Sequence, residues 1–357
     1  MYNTYFNLQH FADAGTLVNA TGNFVNAATG ATTAFDSGHS LSAELKAFYD
    51  TELLENARTE LFYAQFAKRQ PLPANHHGSV EWRKWNTFDK ASRLTEGVIP
   101  TGQKFGVTAV TGSIDQYGTY TAITDKLELR AYDDVILGAT EEMGASAAET
   151  QEALIRDALF TNTNVLYCDK ITRASGAVAA TPTQQSGLVE DATYHCHLTP
   201  EMVNKAVTVM KKNRVPRIGG KYYAVIHPSV AHDLRADESW IEAHKYASPE
   251  EIFNGEIGEL HGVRFIENVF APVIKGQNDT IPVYASYFFG KDSFGIIDPE
   301  GGALEMIIHD KGEIGGPLNQ FSTIGYKFET NGATILYPER LLRVMSTSSF
   351  SAADQAN

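Results

Sequence analysis

Three short stretches of this 357-residue chain hold, at close spacing, the residue types that do chemistry. The first is GEIGELHGVRFIENVF, residues 255–270. Glu256, Glu259 and His261 could ligate a divalent metal, and Gly255, Gly258 and Gly262 could shape a phosphate cradle. The stretch lacks both GxGxxG and GxxxxGK followed by Ser or Thr, and it opens no helix whose N-terminus could hold an anion. Its glycines are read instead as a turn where a Cβ would clash, leading Val263, Phe265 and Ile266 into a core. The second is His195-Cys196-His197. Consecutive side chains on an extended backbone point to opposite faces, so one ion cannot readily take all three. The third, His76-His77, reads as a polar turn. No GxSxG elbow is present, and nothing pairs Cys168 or Cys196 with a particular histidine. Catalytic, cofactor-binding and metal sites are therefore expected to be absent. The densest basic run, KKNRVPRIGGK at 211–221, lacks interleaved aromatics for base stacking and reads as a surface or subunit-contact loop.

The elements that would carry these residues belong to an ordinary folded chain. A composition of 43% hydrophobic and 20% charged residues argues against disorder. A formal charge of −14 gives the wrong long-range sign for tight binding to nucleic acid phosphates. Two cysteines make no disulfide framework, which fits a reducing compartment. No apolar run reaches the ~20 residues of a membrane span, and the first residues lack a signal-peptide pattern. A soluble protein not secreted through a membrane is expected.

Residues 1–39 are poor in charge and hold one apolar cluster, Tyr5, Phe6, Leu8 and Phe11, which suits an arm seeking a partner surface. Leu45, Tyr49, Leu53, Ala57 and Leu61 step by four and predict an amphipathic helix over 41–67. SVEWRKW and YTAITDKLEL alternate apolar and polar residues around a Gly/Thr/Pro-rich stretch, predicting a long two-stranded ribbon with a mobile tip. A ribbon alone is barely stable in water, so it must lie on something else. A long helix is expected from Asp133 to about Phe160, with Gly138 and Gly144 on a face permitting close packing. Thr199, Pro200 and Glu201 form a helix start, and KYYAVIH, GVRFIEN, PVYASYFFG, FGIID and ALEMIIHD read as strands. The class is α+β, with no internal repeat. An arm and a ribbon without cores of their own point to burial on other subunits and thus to an assembly protein.

The stretch YYAVIHPSVAHDLRADESWIEAHKY followed by GEIGELHGVRFIEN, residues 222–268, resembles the tailed-phage major capsid proteins of the N4 type. Three pieces carry it: the strand and turn at His227-Pro228, the DLRAD and Trp240 segment, and GEIG with GVRF. FNLQHFADAG also resembles the start of many phage capsid subunits. The resemblance implies the HK97-like capsid fold. In that fold residues 1–39 would be an N-terminal arm, 40–74 a peripheral-domain helix segment and 75–130 an extended loop. Residues 131–189 would hold the spine helix and peripheral domain, 190–310 the axial domain, and 311–357 the return to the peripheral domain.

A structural, non-enzymatic major capsid protein is implied, assembling through pentamers and hexamers into an icosahedral head around double-stranded DNA without sequence-specific binding. Tyr5, Phe6, Phe11, Trp82, Trp85 and Phe105 would be buried between subunits, and Gly255, Gly258 and Gly262 would shape an axial-domain turn. The arm is short for a proteolysed scaffolding segment, which implies a separate scaffolding protein. A portal protein is a further expected partner, whether a decoration protein clamps the outside is left open, and assembly is expected in the host bacterial cytoplasm with no membrane. Lys84, Lys90 and Lys104 lie in the extended loop, but no motif marks any of them for covalent cross-linking. An encapsulin-like nanocompartment shell is the alternative within the same fold.

Overall fold

The structure is a computed structural model that describes residues 62–73, 78–85, 88, 90–91, 93, 96, 99, 102–130, 135–244, 258–275, 281–300, 302, 304–309, 320–351, 354 and 356–357. The arm, most of the helix expected over 41–67, His76-His77, the expected start of the long helix at 131–134, Gly255 and much of the ribbon tip lie outside them. A 3-10 turn (Tyr63–Phe66) leads into strand β1 (Lys68–Leu72), followed by β2 (Ser79–Trp85), β3 (Val107–Ser113) and β4 (Asp115–Thr124). Helices α1 (Asp125–Arg130) and α2 (Val135–Phe160) follow, then short strands β5 (Val165–Tyr167), β6 (Lys170–Thr172), β7 (Val178–Ala180) and β8 (Tyr194–His195). Next come α3 (Pro200–Lys212), β9 (Tyr222–Ile226), α4 (Pro228–Ala236) and α5 (Glu238–His244). The chain continues through β10 (Glu259–Leu260), β11 (Val263–Glu267), β12 (Val273–Ile274), β13 (Val283–Phe289), β14 (Phe294–Pro299) and β15 (Glu305–His309). It closes with β16 (Phe321–Thr330), β17 (Thr334–Ile335) and β18 (Leu341–Ser346). This is the α+β class, and two compact units divide it.

The larger unit draws on Leu61–Asp115, Glu149–Glu300 and Thr330–Asn357. Its main sheet has the order β10-β11-β9-β13-β18-β5, with β12 paired to β13. β13, VYASYFF, is buried at every position, so both faces of the sheet are covered. Ala224, Ile226, Phe288, Leu342 and Val344 face a core shared with Met202, Val203, Ala206 and Met210 of α3. Val225, Tyr287, Phe289 and Leu341 face a second core with Tyr63, Ile155 and Leu159. The start of α3 forms as its sequence requires: the Thr199 hydroxyl accepts from the Met202 N–H at 3.4 Å, Pro200 needs no partner, and Glu201 meets the positive end of the dipole. β1 pairs in parallel with β14, and β17 completes that smaller sheet.

The smaller unit draws on Gln116–Ala148 and Gly301–Glu329 and holds a sheet in the order β15-β16-β4. β4 and β16 approach closely: a Cβ on Gly118 would meet the Tyr326 carbonyl oxygen at 2.6 Å, and one on Gly325 would meet the Thr119 carbonyl oxygen at 2.8 Å.

The ribbon corrects the expectation in its pairing. β2 pairs not with YTAIT but with β3, from Ser79 opposite Ser113 to Trp85 opposite Val107. β3, VTAVTGS, lies in the stretch expected to be a mobile tip; its β-branched residues suit a strand despite the nearby glycines. YTAIT belongs to β4, and DKLEL is helical, because the Thr124 hydroxyl accepts from the Leu127 N–H at 3.3 Å and starts α1. Nor does Gly138 serve close packing. Its position on α2 is exposed, and an added Cβ would meet nothing within 4 Å.

Candidate functional site

Trp82 decides where the ribbon sits. It is 7% exposed and packs with Leu72, Ile297 and Leu336, flanked by Val80, Val110 and Tyr337. A Cβ on Gly112 would lie 2.8 Å from Trp82 Cζ3, and one on Gly295 would lie 2.9 Å from Trp82 Cζ2. The indole therefore fills a slot that only glycine leaves open, floored by β14 and walled by β3. Two residues on, Lys84 Nζ lies 3.0 Å from Glu339 Oε1 and 4.5 Å above the Tyr337 ring. The ribbon base is thus fixed inside its own chain. Trp82, expected to be buried on a neighbour, is already buried in cis because β2 crosses the β1-β14-β17 sheet.

Trp85 and Phe105 are placed differently. They are 57% and 58% exposed, and their rings stack at 4.5 Å with an interplanar angle of 18°. Phe88, 55% exposed and absent from the sequence-based candidates, continues the stack at 5.3 Å from Phe105. Val107 beside them is 46% exposed. A ladder of large apolar rings thus stands open to water beside a strand pair whose root is buried. Tyr5, Phe6 and Phe11 lie outside the described residues, so the structure brings together only the ribbon members of that set.

The GELHGVRF stretch forms a tight hairpin. Leu260 pairs with Val263 across His261 and Gly262, whose φ angles are 53° and 81°, and Gly258 enters it at φ 103°. Such angles favour glycine, which accounts for Gly258 and Gly262. Glu259 pairs with Lys221.

At 195–197 the two imidazoles lie together, ring centroids 4.4 Å apart, while Cys196 points inward and is fully buried. Burial pushes the Cys196 and Cys168 thiols above their ordinary pKa, so neither is poised as a thiolate nucleophile. Among the described residues no group of three His, Cys, Asp or Glu side chains is arranged to hold a metal. His197 instead serves a network that sequence spacing gave no sign of. Its Nε2 lies 3.0 Å from Glu190 Oε2, which also accepts from the Thr347 hydroxyl at 2.9 Å, and Arg173 pairs with the other Glu190 oxygen. Asp233 accepts from the Ser349 N–H at 2.9 Å. Asp354 accepts from the Ser229 and Tyr284 hydroxyls, each at 2.5 Å, with His227 Nδ1 3.9 Å away. Because His227 Nδ1 accepts from the Ser229 backbone N–H at 3.2 Å rather than engaging its hydroxyl, these residues cap α4 and do not make a nucleophile–base pair. The Ser348 hydroxyl also donates to the Ser229 carbonyl at 3.1 Å, and this contact and the Thr347–Glu190 one join residues 119 and 157 positions apart in sequence, beyond the reach of any local pattern.

A model of the family described as "Phage capsid protein" matches residues 108–330. No curated protein matches the chain in sequence. Among solved structures, the capsid of cyanophage P-SCSP1u is similar over 89% of this chain and 93% of its own, with 17% identity and a TM-score of 0.57. The capsid of Helicobacter pylori bacteriophage KHP30 covers 92% of this chain and 100% of its own at 11% identity and a TM-score of 0.59. The cyanophage Pam1 capsid does so over 93% and 100%, at 13% identity and a TM-score of 0.59. At such identities the likeness is one of fold: mixed α+β of the HK97-like kind.

Proposed function

This chain belongs to the phage capsid protein family, a structural rather than an enzymatic class with its place in the virion capsid, and from that membership we propose how it acts. It is a major capsid protein of the N4 type. Copies join into pentamers and hexamers, which close an icosahedral shell around double-stranded DNA without reading its sequence. Residues 1–39 are the arm, 75–130 the extended loop, 131–189 the spine helix and peripheral domain, and 190–310 the axial domain that carries the Gly258–Gly262 hairpin. Assembly takes place in the host bacterial cytoplasm with a separate scaffolding protein and a portal protein as partners.

The observation that carries this reading is the exposed stack of Trp85, Phe88 and Phe105 on a ribbon rooted by Trp82. Covering such rings on a neighbouring copy contributes roughly 1.5–3 kcal/mol for each one fully buried. Modest contacts suffice, since many act together in a closed shell. The test is electron microscopy of the overexpressed protein beside a Trp85→Ala/Phe105→Ala variant. The wild type is expected to form closed particles and the variant folded but unassembled subunits. A wild type that stays monomeric, with its ribbon folded back on its own body, would overturn the reading.

A further inference from the structure

Residues 211–221 carry five Lys or Arg and no carboxylate, in a chain whose carboxylates outnumber its Lys and Arg 43 to 29. The segment is built rather than slack. Val215 is 5% exposed, its N–H donates to the Met210 carbonyl at 3.1 Å, and its own carbonyl accepts from Tyr222 Oη at 2.9 Å. Gly219 and Gly220, at φ 57° and 86°, turn the chain back, and the Ile218 and Lys221 backbones close the turn at 2.9 and 3.0 Å. Lys211, Lys212, Arg214, Arg217 and Lys221 are left facing solvent.

The positive charge extends beyond this loop. The Lys291 N–H donates to the Pro216 carbonyl at 3.0 Å, and Arg340 reaches the Lys291 carbonyl at 3.0 Å. The Arg340 guanidinium lies 3.7 Å over Tyr337, the ring that Lys84 also covers. A Cβ on Gly290 would fall 2.1 Å from Val215 Cγ1, so glycine is what lets the loop seat against this strand end. Glu259 and Glu339 each offset one lysine. Among the described residues Lys211, Lys212, Arg214 and Lys291 have no carboxylate partner.

We propose that this strip, running from the 211–221 loop past Lys291 and Arg340 to Lys84, is an electrostatic contact surface for the acidic surface of a second copy of this chain. The proposal rests on the assembly reading above and says which surface does the joining. Copies that each carry a net −14 repel unless opposite signs are brought into register. A single-stranded nucleic acid is a poorer fit, because Tyr222 is buried and Tyr337 is covered by cations, leaving neither ring open to a base. Duplex DNA meets the unfavourable long-range field of the whole acidic chain.

The test compares wild type with a Lys212→Glu/Arg214→Glu/Arg217→Glu variant and with its Gln counterpart, all full-length. Oligomer size is followed by sedimentation velocity and microscopy, thermal stability by melting, and duplex DNA binding by fluorescence anisotropy. Raising salt from about 0.05 M to about 0.5 M is expected to weaken wild-type association about tenfold, because the attraction acts within roughly a Debye length. The Glu variant is expected to lose association at low salt with its melting temperature unchanged, and the Gln variant to fall between. A Glu variant that assembles like wild type at both salts overturns the strip's role while leaving the assembly reading intact. So does one that assembles normally but loses DNA binding, which would assign the strip to nucleic acid. Wild type that forms no oligomer at any salt overturns both readings.

Discussion

Within the larger unit, single residues fix the ribbon and the C-terminal half of the long helix. Replacing Trp82 with Ala would leave a cavity between Gly112 and Gly295 and is expected to destabilise the subunit by about 3–5 kcal/mol in denaturant unfolding. Glu152 is a second such point: fully buried on α2, its Oε1 accepts from the Tyr63 N–H at 3.1 Å and from the Phe62 N–H. Glu152→Ala leaves these donors without that acceptor and is expected to cost about 1–3 kcal/mol by the same measurement. Asp233 and Asp354 are titratable counterparts. Burial pushes their carboxyls up, but donors outweigh it, Ser349 and Ser348 on Asp233, and Ser229 and Tyr284 on Asp354. The net pKa of each is below the ordinary value, so its contribution is complete above about pH 4 and is lost as pH falls through the lower folded value. Burial also lowers His227 and His195, whose protonation therefore favours the unfolded chain. Their contribution is present above about pH 6.5 and declines as pH falls below it. Melting temperature is expected to drop in two stages on acidification, the lower one reduced in Asp233→Asn/Asp354→Asn. Trp82 as a candidate was legible, because a tryptophan in an alternating strand must be covered somewhere. What covers it was not, since Gly112, Gly295 and Leu336 come from three separate parts of the chain.

Elements were legible where their signals are local. Thr199, Pro200 and Glu201 announce α3, and mainly apolar runs announce β13 and β18, because caps and burial patterns act within a few residues. Pairing was not legible. β3 and YTAIT have similar β-branched composition, and only the registers Trp82–Val110 and Trp85–Val107 decide which one β2 joins. Helix α1 was missed because Thr124 can continue a strand or cap a helix. Gly138 shows a residue whose helix position carries no packing reason; Gly138→Ala is expected to raise stability by about 0.5–1 kcal/mol in thermal or denaturant melts. Trp85→Ala/Phe105→Ala removes side chains already in water, so subunit stability is expected to change by no more than about 1 kcal/mol while assembly is lost.

For the whole molecule, the resemblance in residues 222–268 pointed to the capsid family, and the family match over 108–330 establishes it. In the ribbon, the root is buried in cis and the aromatic ladder is exposed. Removing the first dozen residues is expected to leave a folded subunit that assembles poorly, as read by sedimentation. Normal shells from that deletion would count against the arm.

The three tryptophans fall into two kinds: Trp82 and Trp240 are sealed at 7% and 5% exposure, and Trp85 stands in water at 57%. If shells join through the ribbon as proposed, that leaves one optical probe at the growing seam. Emission from that indole should shift to the blue as shells close, so particle growth could be timed without a dye, and a Trp85→Phe control would remove the signal while leaving an aromatic ring in its place.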